Sequence, residues 1–201
     1  MIPKIIHYVW FGKKEKPEAV KNCIESWKKN LPDYKIIEWN EDNFDVNYNE
    51  YTKKSYEAKK YAFTSDVARL WALYNYGGIY MDTDVLVYKP LDNFLKHKFF
   101  TGFEQLHYPV TATIGAEKGN KLIKEMLDIY KYKKFEIHAN WHDYETNTMI
   151  MSDIIGKYFN RDEMKYQEKD NMAIYPRETF CSNEKLDKNV YTQHLMLGSW
   201  G

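Results

Sequence analysis

Two carboxylates stand in the stretch GGIYMDTDVLV, Gly77 to Val87, whose other residues read as a buried strand. On an extended chain Asp82 and Asp84 leave the same face, one pleat apart. Buried without partners, each would be strongly destabilising. The pair therefore requires a cation, or a place at the carboxyl end of a strand, where ligands reach open α/β sheets. Oxygen donors of this kind suit a hard divalent ion, Mg²⁺ or Mn²⁺, which takes one or two protein carboxylates beside phosphate. The bland alternative is a pair of aspartates in a turn after a strand; the apolar flanks Ile79 to Met81 and Val85 to Val87 weigh against it.

Upstream, Asp66 and Arg69 are spaced one helical turn apart, close enough to hold each other or a shared ligand. Trp10 follows an apolar run and precedes Phe11-Gly12, where an aromatic face can stack on a base; taken singly it reads as core. His194 comes late in the chain, and a lone histidine there reads as structural.

These residues need a scaffold. Lys4 to Trp10 has the β-branched and aromatic character of a strand. A helix follows with Pro17 at its start and Val20, Ile24 and Trp27 on one face, and Tyr34 to Trp39 is a second strand. Strand, helix, strand predicts an α/β fold with a mostly parallel central sheet flanked by helices. Ala62 to Tyr76 carries Phe63, Val67, Leu70, Trp71 and Tyr74 at helical spacing and ends at Gly77-Gly78, as a helix C-cap does. Further strands are expected at Phe99 to Phe103, Val110 to Gly115, Ala173 to Tyr175 and Val190 to Leu195. Helices are expected from Asn120 to about Lys131 and from Thr146 to Phe159. With no repeat or linker, residues 1–201 read as one domain.

Composition excludes several partners. The 29 basic and 29 acidic side chains cancel to a net charge of +0, so no basic footprint for nucleic acid is present. No uncharged run approaches the roughly 20 residues of a membrane span, which leaves peripheral association open. Cys23 and Cys181 form no metal-type or paired spacing, consistent with reduced thiols in a cytosolic protein. Aromatic residues make up 17% of the chain, and such faces stack on bases and sugars as well as filling cores.

The segments IPKIIHYVWFG, YAFTSDVARLWALYNYGGIYMDTDV, IGAEKGN and QHLMLGSW, in this order along the chain, resemble glycosyltransferase family 32. The resemblance implies a GT-A fold for transferring a sugar from a UDP- or GDP-sugar to a saccharide or lipid-linked saccharide acceptor. It further implies retention at the anomeric carbon and a role in bacterial capsule or surface-polysaccharide synthesis at the inner membrane face. It assigns Asp84 to the metal, Asp82 to ribose or donor sugar, and Asp66 with Arg69 to sugar hydroxyls and phosphate. Trp10 would stack on the base, His194 would complete the metal shell, and Ser199 and Trp200 would close over the diphosphate. Where the family usually has a histidine pair, this chain has Gln193-His194 followed by Leu195-Met196-Leu197. Asn147 and Thr148, opening the late helix, are candidates for lining the sugar and acceptor pocket.

Two other classes fit parts of the pattern. A haloacid-dehalogenase-like phosphatase would use DTDVL as its nucleophile motif, yet the motif stands far from the start and lacks a later acidic pair. A calcium-dependent carbohydrate-binding module would use the aromatics without any nucleotide.

Overall fold

The computed structural model describes residues 1–105, 107–137, 145–182 and 189–198. Strand β1 (Ile5–Val9) is followed by helix α1 (Glu18–Asn30) and strand β2 (Lys35–Trp39), which pairs parallel to β1. Helices α2 (Glu50–Glu57) and α3 (Tyr61–Tyr76) then lead to β3 (Gly78–Met81), parallel to β1 on its other side. The chain continues through β4 (Val85–Val87), β5 (Phe99–Gly102), β6 (Thr113–Ala116), α4 (Lys121–Tyr132) and α5 (Asn147–Ile155). It closes with β7 (Gln167–Lys169), β8 (Met172–Tyr175), α6 (Arg177–Phe180) and β9 (Thr192–His194). The main sheet has the order β2-β1-β3-β6-β5-β8-β7, and β4 pairs with β9 in a separate two-stranded sheet.

The expected α/β architecture with a mostly parallel sheet is present: β1, β2, β3, β5 and β8 run the same way, and β6 and β7 are reversed. β6 runs antiparallel to both β3 and β5, and β7 antiparallel to β8. For β6 against β5 the cause is local: among the described residues no helix separates the two, and parallel neighbours require a crossover connection. Helix α2 and strand β7 were not anticipated, and α5 ends at Ile155, short of Phe159. α2 is short and opens on an Asn49 capping box with Thr52, a polar signal that apolar periodicity does not register.

Alternation along β1 divides the core. Ile6, Tyr8 and Trp10 pack on one side with Val20, Ile24 and Trp27 of α1. Val9 and Phe11 pack on the other with Val67, Leu70 and Leu73 of α3 and with Leu122, Ile123 and Met126 of α4. The two crossovers leaving β1 and β2 thus cover opposite faces. The sheet reverses its winding beside β1 and β3, and their carboxyl ends frame the crevice where such sheets bind ligands.

His7 ties this region together. Its Nε2 donates to the Gly77 carbonyl at 2.7 Å, and its Nδ1 accepts from the Trp39 indole at 3.1 Å. The ring is fully buried, and burial lowers its pKa to about 4. Since the ordinary value is near 6.5, the unfolded chain takes up the proton first, and stability falls as pH drops from 6.5 toward 4. This source should remove about 3 kcal/mol over that interval. Denaturant melts at stepped pH should show that slope in the wild type and its loss in His7→Gln; an equal slope in both would refute the assignment.

Candidate active site

β3 ends at Met81, and the next residues turn. The Asp82 amide donates to Ala112 O at 2.9 Å and the Val85 amide to Asp82 O at 3.1 Å, closing a turn over Asp82–Val85. Asp82 and Asp84 therefore lie in a turn at the carboxyl end of β3, the place that sequence reading offered for the pair, and do not share one face of an extended strand. Of the two readings of Val85 to Tyr88, a continuation of the strand or a neighbour after a kink, the second holds: the apolar flanks belong to two strands in different sheets. The chain leaves the main sheet at Asp82 and enters the small one at Val85.

That departure recruits the C-terminal strand. Val85 stands opposite His194 in the β4–β9 pair. The Leu195 amide donates to Asp84 O and the Leu197 amide to Asp84 Oδ2, both at 2.9 Å. His194 Nε2 comes to 3.3 Å from Asp84 Oδ1. Asp82, Asp84 and His194 each offer a ligand atom, and these atoms lie within 4.8 Å of one another. Two carboxylates and one imidazole suit Mn²⁺ or Mg²⁺, whose bonds of roughly 2.0–2.2 Å place adjacent donors about 3 Å apart. A small contraction would close the set.

Charge in this group is strongly coupled. Burial works to raise the Asp84 carboxyl, but the His194 ring and the Leu197 amide outweigh it and leave it below its ordinary value. For His194 burial favours the neutral ring, while hydrogen bonds to Asp84 and Cys181 and the field of both aspartates hold its pKa up to about 10. A cation bound here competes with that proton, because a ligating imidazole is neutral.

Arg69 organises the adjoining wall. Its guanidinium contacts Asp66 Oδ1 at 3.0 Å and Asp82 Oδ1 at 3.3 Å, and donates to Thr111 O at 3.0 Å and to Ser65 Oγ at 3.3 Å. It also lies 4.5 Å from the centre of the Tyr80 ring, whose hydroxyl donates to Asp82 at 2.7 Å. The two readings of Asp66 and Arg69 thus resolve toward mutual contact: the arginine is buried and engaged by protein groups. Burial raises the Asp66 carboxyl well above the usual carboxylate range despite Arg69.

Asn147 and Thr148 meet this wall from α5. Asn147 is buried beside Asp66 and favours its charged form, while neither amide atom has a full hydrogen-bond partner among the described residues. Thr148 Oγ1 lies 3.4 Å from Thr111 Oγ1. Trp10 is 7% exposed within the core; its indole donates to Lys14 O at 2.7 Å, and Lys16 Nζ stands 5.7 Å from its ring centre. Base stacking there would require Lys16 to move. Ser199 and Trp200 lie outside the described residues.

Tyr80, Thr111 and Glu104 also face this region and were not singled out from sequence. Tyr80 stands two residues before Asp82, so strand alternation could have found it. Thr111 and Glu104 arrive through the β5–β6 connection, for which sequence carries no such signal.

The comparisons with known proteins bear on the segment that carries Asp82 and Asp84 and on the fold. A family model described as a glycosyltransferase sugar-binding region containing a DXD motif matches residues 17–101. Inositol phosphoceramide mannosyltransferase 1 of Schizosaccharomyces pombe is 32% identical over 110 residues, covering 49% of this chain and 33% of that protein. An uncharacterized glycosyltransferase of Acanthamoeba polyphaga mimivirus is 30% identical over 170 residues, covering 79% of this chain and 66% of its relative. The chain thus spans about a third of the first relative and 66% of the second. The solved PaToxG glycosyltransferase superposes with a TM-score of 0.59 at 22% identity over 78% of this chain and 68% of its own, a likeness of fold. On the motif at Asp82–Asp84, the matched segment and these relatives, residues 17–101 are similar to the glycosyltransferase sugar-binding region that contains a DXD motif.

Proposed function

We propose that residues 1–201 form one catalytic unit moving a hexosyl group from a UDP- or GDP-sugar to a saccharide or lipid-linked saccharide acceptor. The observation that carries this reading is the meeting of Asp82, Asp84 and His194 ligand atoms within 4.8 Å at the sheet's switch point. Asp84 and His194 would hold Mn²⁺ or Mg²⁺, which supplies positive charge to the leaving diphosphate. Asp82, beside it, would meet ribose or donor sugar.

The protein's own groups act on the sugar. Cleavage at the anomeric carbon makes the sugar oxocarbenium-like, and fixed carboxylates stabilise that charge without reorganising. Opposed unit charges 4 Å apart are worth about 4 kcal/mol at an effective dielectric near 20, or roughly a thousandfold in rate. Asp66, Asn147 and Thr148 line the wall where sugar hydroxyls would sit. Arg69 acts through Asp66 and Asp82, fixing both, rather than reaching phosphate itself. Trp10 would meet the base once Lys16 shifts, and Ser199 and Trp200 would close over the diphosphate.

Retention, with the acceptor attacking the face from which the diphosphate leaves, belongs to this reading. So does surface-polysaccharide synthesis in a bacterial cytoplasm, peripheral to the inner membrane face. Nucleic acid has no place in it, as the +0 net charge indicates.

Thermal melts with Mn²⁺ and UDP or GDP test the donor site. A nucleotide at a hundred times its Kd adds about 2.7 kcal/mol, or roughly 5–10 °C for a chain of this size; no shift with either nucleotide at millimolar concentration would overturn the reading. A panel of sugar nucleotides with Mn²⁺, followed by mass spectrometry of nucleotide release, should identify the donor, and Asp84→Asn should abolish release. Arg69→Met should cost about 3–5 kcal/mol in urea unfolding, because it strands buried carboxylates. Asp82→Asn should cost less, since Asp82 is 18% exposed against 6% for the arginine.

A further inference from the structure

His194 faces a second set of donors. β5 runs into Phe103 and Glu104, whose backbone is pinned by Phe103 N–H to Tyr175 O at 2.9 Å and Glu104 N–H to Tyr108 O at 2.8 Å. Cys181 closes α6, its amide donating to Arg177 O at 2.9 Å, and its side chain is fully buried. Thr192 Oγ1 donates to Phe180 O at 2.9 Å and so ties β9 to the end of α6. These constraints bring a Glu104 carboxylate oxygen, the Cys181 sulfur and a His194 ring nitrogen within 4.8 Å of one another.

The chemistry of this group differs from that of the aspartate pair. Thiolate, imidazole and one carboxylate form a donor set for zinc, whereas the Asp82–Asp84 side offers oxygen to a hard cation. Bonds of roughly 2.0–2.3 Å in a tetrahedron put donors about 3.3–3.8 Å apart, so closure by about 1 Å suffices. The histidine Nε2 stands 3.3 Å from Asp84 Oδ1, while Cys181 is the ring's other neighbour. The Glu104 carboxylate meets His194, Asp82 and Arg177 through charge.

We propose that Glu104, Cys181 and His194 form a zinc site with three protein ligands and an open fourth position. Because His194 is common to both groups, zinc there draws the ring away from the Asp82–Asp84 cation site. The zinc site stands independently of the transfer reading; only its effect on donor binding depends on it.

Co²⁺ serves as the spectroscopic probe for zinc on the purified full chain without nucleotide. One equivalent should give a thiolate-to-cobalt charge-transfer band that Zn²⁺ bleaches. Cys181→Ser should remove the band, Glu104→Gln should weaken Co²⁺ binding about tenfold, and Cys23→Ser should keep it, with far-ultraviolet circular dichroism confirming folding in each. No band in the wild type, or a band that survives Cys181→Ser, overturns the site. If UDP or GDP stabilises the chain with Mn²⁺, zinc should raise the Mn²⁺ midpoint of that response about tenfold more in the wild type than in Cys181→Ser. Equal midpoints overturn the coupling. Failure of the nucleotide response with a normal cobalt band would count against the transfer reading alone.

Discussion

A buried guanidinium stands where α3, β3 and the turn after it converge, and the geometry of the site depends on it. Arg69 reaches Asp66 on its own helix, Asp82 past the end of the sheet and the Thr111 carbonyl on the approach to β6. A buried ion pair is weak evidence of net stability, because desolvation consumes much of the Coulomb gain. Its worth here is positional. A planar fork with several donors fixes two carboxylates at once, which a lysine's single ammonium would not do.

The second constraint is the change of sheet at Asp82–Asp84. Had β3 run on, both aspartates would have stayed in the main sheet, far from the end of the chain. By turning, the backbone lets Asp84 accept the Leu197 amide on its side chain and the Leu195 amide on its carbonyl. Those bonds anchor the segment that carries His194. The cost of burying Asp84 is offset by the same contacts that complete the donor set, so stability and ligand geometry are served by one arrangement.

Sharing follows from this economy. One imidazole serves Asp84 on one side and approaches Cys181 and Glu104 on the other, so its protonation and ligation are linked to both groups. Nearby, Lys16 is paired with Glu38 at 2.8 Å and covers the Trp10 ring. One face of the tryptophan is thus occupied by a cation whose partner is only half-buried.

Much of the scaffold could be read from the chain. Apolar spacing in α1, α3 and α4 marks helices because 3.6-residue periodicity is a local property, and the block from Ser65 to Asp84 carries the resemblance by residue types at fixed intervals. The glycines after α3 are legible for the same reason: Gly77 has φ 66° and Gly78 φ 119°, values that favour glycine. The mixed order of the sheet, the turn at the aspartates and the approach of His194, Thr111 and Glu104 were decided by tertiary structure. Pairing direction and long-range contacts depend on how separate segments bury their faces together, and residues 84 and 194 carry no mutual signal until β4 and β9 align. The sequence by itself determined which residues could do the chemistry and which local elements carry them. Folding decided which carboxylate faces which imidazole, because only packing of distant segments sets those distances.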